Sequence, residues 1–298
     1  SLPEWDGIDR VTELAQRISD RPLWVNGFHR GMLGMAAQWM NFDSQCANAL
    51  APLLVSTEQG RCKSTFCSIL LPDELQKFYI DKFDLTSESG CEQKLSLFGL
   101  INMDEFDRYG ERSQATLKNL MQLRKLTFRK SHRAYYSQLP RIASFIGTSN
   151  QKELLTDTTG SRRFICVEVT APIDTNVSVN YSQLYAQAFH AVMHGERYWL
   201  DDTDEAMLKE SNEEFRQVSP LEHLLMSCFS VASPEAEEGE WLMAMDIFNH
   251  LQSKTREKLA LGKLNHLGRL LKKWNVPNKR LGKGSLYYLK KVLDVEKV

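Results

Sequence analysis

The order of apolar runs and amphipathic stretches along the chain predicts a mixed α/β protein. Residues 6–20 read as a capped amphipathic helix with Val11, Leu14, Ala15 and Ile18 on one face. Residues 23–40 read as a second helix, apolar enough to be largely buried. Both are expected to pack beside the strand that follows, Leu53, Leu54 and Val55. Trp5, Trp24 and Trp39 are read as packing residues, since lone aromatics at helical spacing usually fill a core. A helix over 64–70 ends before a turn at Pro72-Asp73. An apolar strand over 97–103 runs into Asp104-Glu105, and a helix over 113–123 follows. Residues 141–150 form a buried central strand ending in Thr148-Ser149-Asn150, and 164–169 form another strand. Beyond it lie helical patterns over 179–194 and 201–215, broken at Gly195, and a further helix over 220–231. Residues 233–239 have the composition of a linker. The remainder combines a helix near 245–251, an amphipathic helix over 263–274 and two short strand-like pieces around 282–285. Leu264, Leu267, Leu271 and Trp274 line one face of that amphipathic helix. These patterns divide the chain into an α/β core over 1–170, a helical extension over 171–232 and a basic module over 240–298.

The length of 298 residues agrees with about two domains. No apolar run reaches the roughly 18 residues that span a bilayer, and the polar opening is unlike a signal peptide. The six cysteines show no zinc spacing, which leads us to expect reduced thiols and a cytoplasmic setting. The chain opens on Ser1 rather than Met and is expected to be a piece of a longer protein with an upstream domain. A net charge of −1 conceals local polarity. Residues 201–240 hold 12 acidic and 2 basic residues, and 241–298 hold 4 acidic and 13 basic ones. These segments are either two surfaces with different tasks or solvated faces of opposite sign.

The chemistry concentrates around residues 53–66, LLVSTEQGRCKSTF. Strand, polar loop, Lys-Ser and helix follow in the order of a P-loop, whose backbone amides cradle phosphates, whose Lys reaches the β/γ-phosphates and whose hydroxyl ligates Mg²⁺. Gly60, Cys62, Lys63, Ser64 and Thr65 are the candidate nucleotide residues; the competing reading is an ordinary strand-to-helix turn. The two motif glycines fall on Thr57 and Cys62, so a Cβ stands immediately before Lys63 and is expected to strain the loop. Asp104 and Glu105 end a buried strand, either as an NTPase requires, with one carboxylate for the metal and one to polarise water, or as an ordinary acidic turn. Asp107 and Arg108 extend this cluster and are read as structural. A polar side chain at Thr148-Ser149-Asn150 could sense a γ-phosphate or orient water, and Arg162 and Arg163 either stabilise transition-state charge or are salt-bridged or solvent-exposed, as arginine pairs after turns usually are. Residues 111–141 contain eight basic residues and one acid. Phe128, Arg129, Lys130, Arg133, Tyr135 and Tyr136 either contact nucleic acid or form a β-hairpin with a solvated basic face.

The segments LFGLINMDEFDR, LKNLMQLRKLTFRKSHRAYY, IASFIGTSN and LLTDTTGSRRF, in this order after the Lys63 loop, resemble the virulence-associated E family. The likeness covers residues 2–169. That family comprises P-loop ATPases akin to superfamily 3 helicases, carried by phages, plasmids and integrated elements. The resemblance implies a P-loop NTPase (AAA+-like) fold, with Lys63 and Ser64 as Walker A and Asp104 and Glu105 as Walker B. It also implies Asn150 as sensor 1, an arginine finger at Arg162 or Arg163, and a DNA-contacting hairpin around 128–136. The implied activity is Mg²⁺-dependent ATP hydrolysis by a DNA motor, in a ring that is a hexamer by analogy. The degenerate loop supports an alternative, a nucleotide-responsive or inactive DNA-binding module. A third reading is an assembly scaffold joined through the acidic and basic segments. The tail reads as winged-helix-like, with Arg269, Lys272 and Lys273 on a helix entering a groove and Lys279, Arg280 and Lys283 on phosphates. The competing reading is a small packing domain with a basic surface. His250 and His266 are read as packing or surface residues.

Overall fold

The computed structural model describes residues 2–42, 46–85, 88–129, 136–156, 161–236, 238–256, 258–281 and 284–292. The chain divides into two units, Ser1–Gln217 and Val218–Val298.

The first unit opens with helices α1 (Arg10–Gln16) and α2 (Pro22–Trp39). Asp9 caps α1 by accepting from the Thr12 amide, and Pro22 pre-sets φ at the start of α2. Strand β1 (Ala51–Val55) and helix α3 (Lys63–Ser68) follow. Next come β2 (Tyr79–Asp81), α4 (Glu88–Leu97), β3 (Leu100–Met103) and α5 (Glu111–Gln122). The hairpin β4 (Lys125–Arg129) and β5 (Tyr136–Pro140) precedes β6 (Ser144–Ser149), β7 (Phe164–Glu168), α6 (Tyr181–Met193) and α7 (Asp202–Ser211).

A five-stranded parallel sheet in the order β2-β3-β6-β1-β7 is the centre of this unit. All five residues of β1 are buried, as in a strand covered on both faces. Leu54, Ile146 and Val167 point into the core shared with α1 and α2, whereas Leu53, Val55 and Phe145 point into the opposite core. Register aligns Met103 with Gly147, Val55 with Ser149 and Val55 with Glu168, so four strands end side by side. Gly147 permits this close packing: a Cβ there would lie 2.6 Å from Leu53 Cδ2 and 3.1 Å from the Met103 carbonyl.

The second unit contains α8 (Pro220–Cys228), β8 (Phe229–Val231), β9 (Glu240–Met243), α9 (Ala244–Ser253), α10 (Lys263–Lys273), β10 (Asn278–Leu281) and β11 (Gly284–Lys291). Strand β11 pairs antiparallel with β8, β9 and β10. Leu225, Phe229, Ile247, Leu251, Leu267, Leu271 and Leu289 form its core. The leucine face of α10 expected from periodicity is therefore the face that is buried.

Several expectations need correction. Leu97 ends helix α4 and is 53% exposed, so the strand begins only at Leu100, after Gly99 has turned the chain. Strand β2 and most of α4 had no counterpart in the sequence pattern. Arg141 does not belong to a solvated basic face; it is buried beside β6. Residues 233–239 do not act as a domain linker. They join β8 to β9 within one unit, where the Gly239 amide donates to the Tyr288 hydroxyl at 3.0 Å. The helical extension is also divided, since α6 and α7 lie in the first unit and α8 packs in the core of the second. Among the described residues, no helix is long and apolar enough to cross a membrane.

Candidate functional site

The aligned ends of β3, β6 and β1 bring together residues up to 94 positions apart in sequence, between Ser56 and Asn150. Leaving β1, the chain forms the loop 56–62, with Gly60 at φ 75° and Cys62 at φ 57°. Both are left-handed. Gly60 adopts this conformation freely, whereas Cys62 does so against the clash of its Cβ. Arg61 pairs with Glu58 across the loop. Thr65 is exposed on α3.

Lys63 is 7% exposed, and its ammonium donates to the Ser56 carbonyl at 3.2 Å and to Asn150 Oδ1 at 3.0 Å. Burial pushes its pKa down, while the carboxylates of Asp104 and Asp107 oppose that shift. Ser64 Oγ donates to Asp104 Oδ1 at 3.0 Å, and Thr148 Oγ1 donates to the same oxygen at 2.6 Å. Two hydroxyls thus fix the Asp104 carboxylate over the start of α3.

Glu105 points elsewhere. Its backbone is left-handed, at φ 54° and ψ 49°, and its carboxylate pairs with the exposed Arg108 at 2.8 Å. Phe106 anchors this acidic turn: it is fully buried, stacked on Tyr109 and edge-on to Phe164. Asp107 turns inward, and its Oδ1 accepts from Ser149 Oγ at 2.9 Å and from the Asn150 amide at 3.2 Å.

Lys63, Ser64, Asp104 and Asn150 are therefore assembled, with Glu105 adjacent but engaged by Arg108. Arg162 and Arg163 are not assembled with them. They directly precede Phe164, which pairs with Ala51 at the opposite end of β1 from Ser56. Five strand residues, roughly 15 Å, separate the two ends. Arg162 pairs instead with Glu205 on α7 at 2.7 Å. Sequence reasoning missed the tasks of Asp107 and Thr148; the available signal was their position at the ends of strands that neighbour β1.

The candidate nucleic-acid residues divide in the same way. Phe128 and Arg129 lie on β4, but their side chains fall outside the described residues, as do Lys130, Arg133, Tyr135 and Lys283. Arg269, Lys272, Lys279 and Arg280 are exposed in the second unit. The Lys279 ammonium lies 4.1 Å from the centre of the Trp241 ring. Lys273 is committed internally: it reaches the buried carboxylate of Glu222 at 3.2 Å, which the Trp274 indole also contacts at 3.3 Å. His250 packs edge-on to Phe229, and His266 contacts Ser219.

The donor set at Asp104 and Ser64 suits Mg²⁺, a hard cation that takes oxygen ligands and usually keeps only one or two from protein. A carboxylate and a hydroxyl already converge there.

Comparison with known proteins gives the family and the fold. Residues 1–217 match the family model described as the virulence-associated protein E-like domain. Residues 218–289 match a second model, a domain of unknown function described from a B. theta gene (DUF3874). No curated protein matches the chain. Among solved structures, the apo NrS-1 C-terminal region (305-718) is similar at a TM-score of 0.51 and 11% identity, covering 98% of this chain and 78% of that one. A second apo structure of that region, the A form, gives a TM-score of 0.47 and 12% identity, with 98% and 77% covered. The likeness is one of fold, a mixed α/β arrangement around a parallel central sheet.

Proposed function

The chain belongs to the virulence-associated protein E-like family, and on that premise we propose that its first unit binds ATP with Mg²⁺ and hydrolyses it, driving work on DNA in the replication of a mobile element. The observation that carries this reading is the convergence of two contacts at one sheet edge: Lys63 with Asn150, and Ser64 with Asp104, each at 3.0 Å. This is the chemistry that phosphoryl transfer needs, which is mostly positioning and charge stabilisation.

In this reading loop 56–62 holds the phosphates with its backbone amides. Lys63 exchanges the Ser56 carbonyl and Asn150 for β/γ-phosphate oxygens. Asp104 and Ser64 would hold a Mg²⁺, whose charge would offset that of the phosphates. Asn150 remains beside the terminal phosphate. Glu105 leaves Arg108 and orients the attacking water; the exposed pair is worth about 1 kcal/mol or less, so release is easy. Arg162 or Arg163, distant from the nucleotide of its own subunit, serves the nucleotide of a neighbour in a ring, a hexamer by analogy with helicases.

The second unit supplies a DNA surface in the same proposal. Its order of helix, two strands, two helices and hairpin suits a winged-helix module with α10 as the groove-facing helix. Arg269, Lys272, Lys279 and Arg280 are placed to meet phosphates. An alternative, DNA binding without turnover, is favoured by the left-handed Cys62 and by the Glu105–Arg108 pair, which together describe a site not poised for hydrolysis.

Titration of ATP into the full chain tests the site. Lys63→Ala is expected to abolish binding, and unchanged affinity would remove Lys63 from the assignment. In the wild-type chain, affinity is expected to fall as pH rises through the lowered pKa of Lys63, before the ordinary lysine value of 10.5 is reached. Stability runs the other way. Folding disfavours the Lys63 cation, so its cost is fully present below the folded pKa and is relieved as pH rises towards 10.5.

A further inference from the structure

We infer that Asp107 is a positioning residue for the phosphate site: its carboxylate fixes Asn150, and through Asn150 it sets the Lys63 ammonium. Its part in turnover rests on the ATP reading above; its hold on Asn150 does not.

The acids on the turn after β3 have separate tasks. Asp104 accepts from Ser64 and Thr148, and Glu105 pairs with Arg108. Asp107 crosses to the end of β6, where one oxygen accepts from both Ser149 Oγ and the Asn150 amide. Ser149 is fully buried, and its single hydroxyl proton has two acceptors in reach, Asp107 Oδ1 at 2.9 Å and the Gln151 carbonyl at 2.7 Å, so the Asn150 amide is the donor that depends on Asp107. The crossing is held at both ends. Phe106, locked between Tyr109 and Phe164, fixes the backbone next to Asp107. The pairing of Met103 with Gly147 sets the turn beside residues 148–150. From Asn150 the chain of contacts continues through Oδ1 to Lys63 Nζ at 3.0 Å. A side chain that anchors the backbone amide of Asn150 limits where its carboxamide can point, and the carboxamide in turn limits where the ammonium sits. Small displacements of such groups cost rate more than affinity, because near-attack geometry is what they set.

Four variants of the full chain test this: Asp107→Ala, Asp107→Asn, Asn150→Ala and the double substitution of Asp107 and Asn150 by Ala. Amide hydrogen exchange without nucleotide reads the contact itself. Asp107→Ala is expected to speed exchange at Asn150 by on the order of tenfold. Asp107→Asn, whose side-chain oxygen still accepts both bonds, is expected to leave it near the wild-type value. In ATP turnover, Asp107→Ala should lower kcat by on the order of tenfold with little change in KM. The double variant should be no slower than Asn150→Ala alone, because one residue acts through the other. Unchanged exchange in Asp107→Ala, or losses that multiply in the double variant, would overturn the inference. If Asp107→Ala fails to fold, Asp107→Ser, too short to reach β6, takes its place. A wild-type chain that shows no turnover would defeat the ATP reading, while the exchange comparison would still decide whether Asp107 holds Asn150.

Discussion

Cys62 is the residue where local backbone chemistry and the site conflict most directly. Its left-handed conformation, φ 57° and ψ 25°, costs an L-residue about 1–2 kcal/mol. The position stands where the motif has glycine, and the strain foreseen from the Cβ there is present in the geometry. Cys62→Gly is expected to raise the midpoint of thermal unfolding by about 2–4 °C for each kcal/mol relieved, less the entropy that glycine loses on folding. It should also raise turnover by opening the loop to phosphate. A melting curve displaced downwards would show that the Cys62 side chain contributes more than its backbone costs. At this scale much of the site was legible, because Lys63, Ser64, Asp104 and Asn150 follow the ends of apolar runs. Asp107 and Thr148 were less legible. Their contacts depend on which strand lies beside which, and no local pattern encodes that. Glu105 lies on the turn after β3, and its partner, Arg108, is visible only in three dimensions.

Among the elements, the strand-to-helix order was readable from alternation and run length, whereas Arg141 was misread. Its guanidinium reaches five oxygens: Leu123, Met121, Asn48 and Ala143 carbonyls and Gln38 Oε1. It thereby ties α2, α5 and the entry to β6 together. Burial pushes its pKa down to about 9, and the five acceptors favour the charge that burial opposes. Arg141→Met should destabilise the first unit by about 3–5 kcal/mol, because buried carbonyls lose their partners. Denaturant unfolding measures this, and a loss below about 1 kcal/mol would show that water satisfies the carbonyls instead. A buried arginine looks like a surface arginine in a single sequence, so the basic count over 111–141 overstated the solvated charge. Strand β2 was missed because YID is too short and too polar to register as a periodic signal. Helix α10 carries its own contrast. Lys272→Ala should weaken DNA binding and reduce its salt slope by about one unit, whereas Lys273→Ala should chiefly cost stability by exposing Glu222 to loss of its partner. Equal effects of the two on DNA affinity would contradict this division of α10.

The whole molecule pairs a parallel α/β unit with a second unit whose last 58 residues are strongly basic, while residues 201–240 are strongly acidic. The charge asymmetry was legible from composition. The boundary at 217/218 was not, because Ser233–Gly239 imitates a linker in composition but works as a connection between two strands that pair with β11. The distance of Arg162 from the loop of its own chain gives the proposed motor a reason to assemble, since the site lacks that charge until a neighbour supplies it. The central claim is that the Lys63 site hydrolyses ATP. Steady-state ATP hydrolysis by the full chain, with and without single-stranded DNA and alongside Glu105→Gln, tests it most directly. The account predicts turnover that DNA stimulates and that Glu105→Gln lowers by at least about a hundredfold with ATP still bound. Turnover unaffected by Glu105→Gln, or none in a folded wild-type chain that binds DNA, would contradict it and favour the binding module.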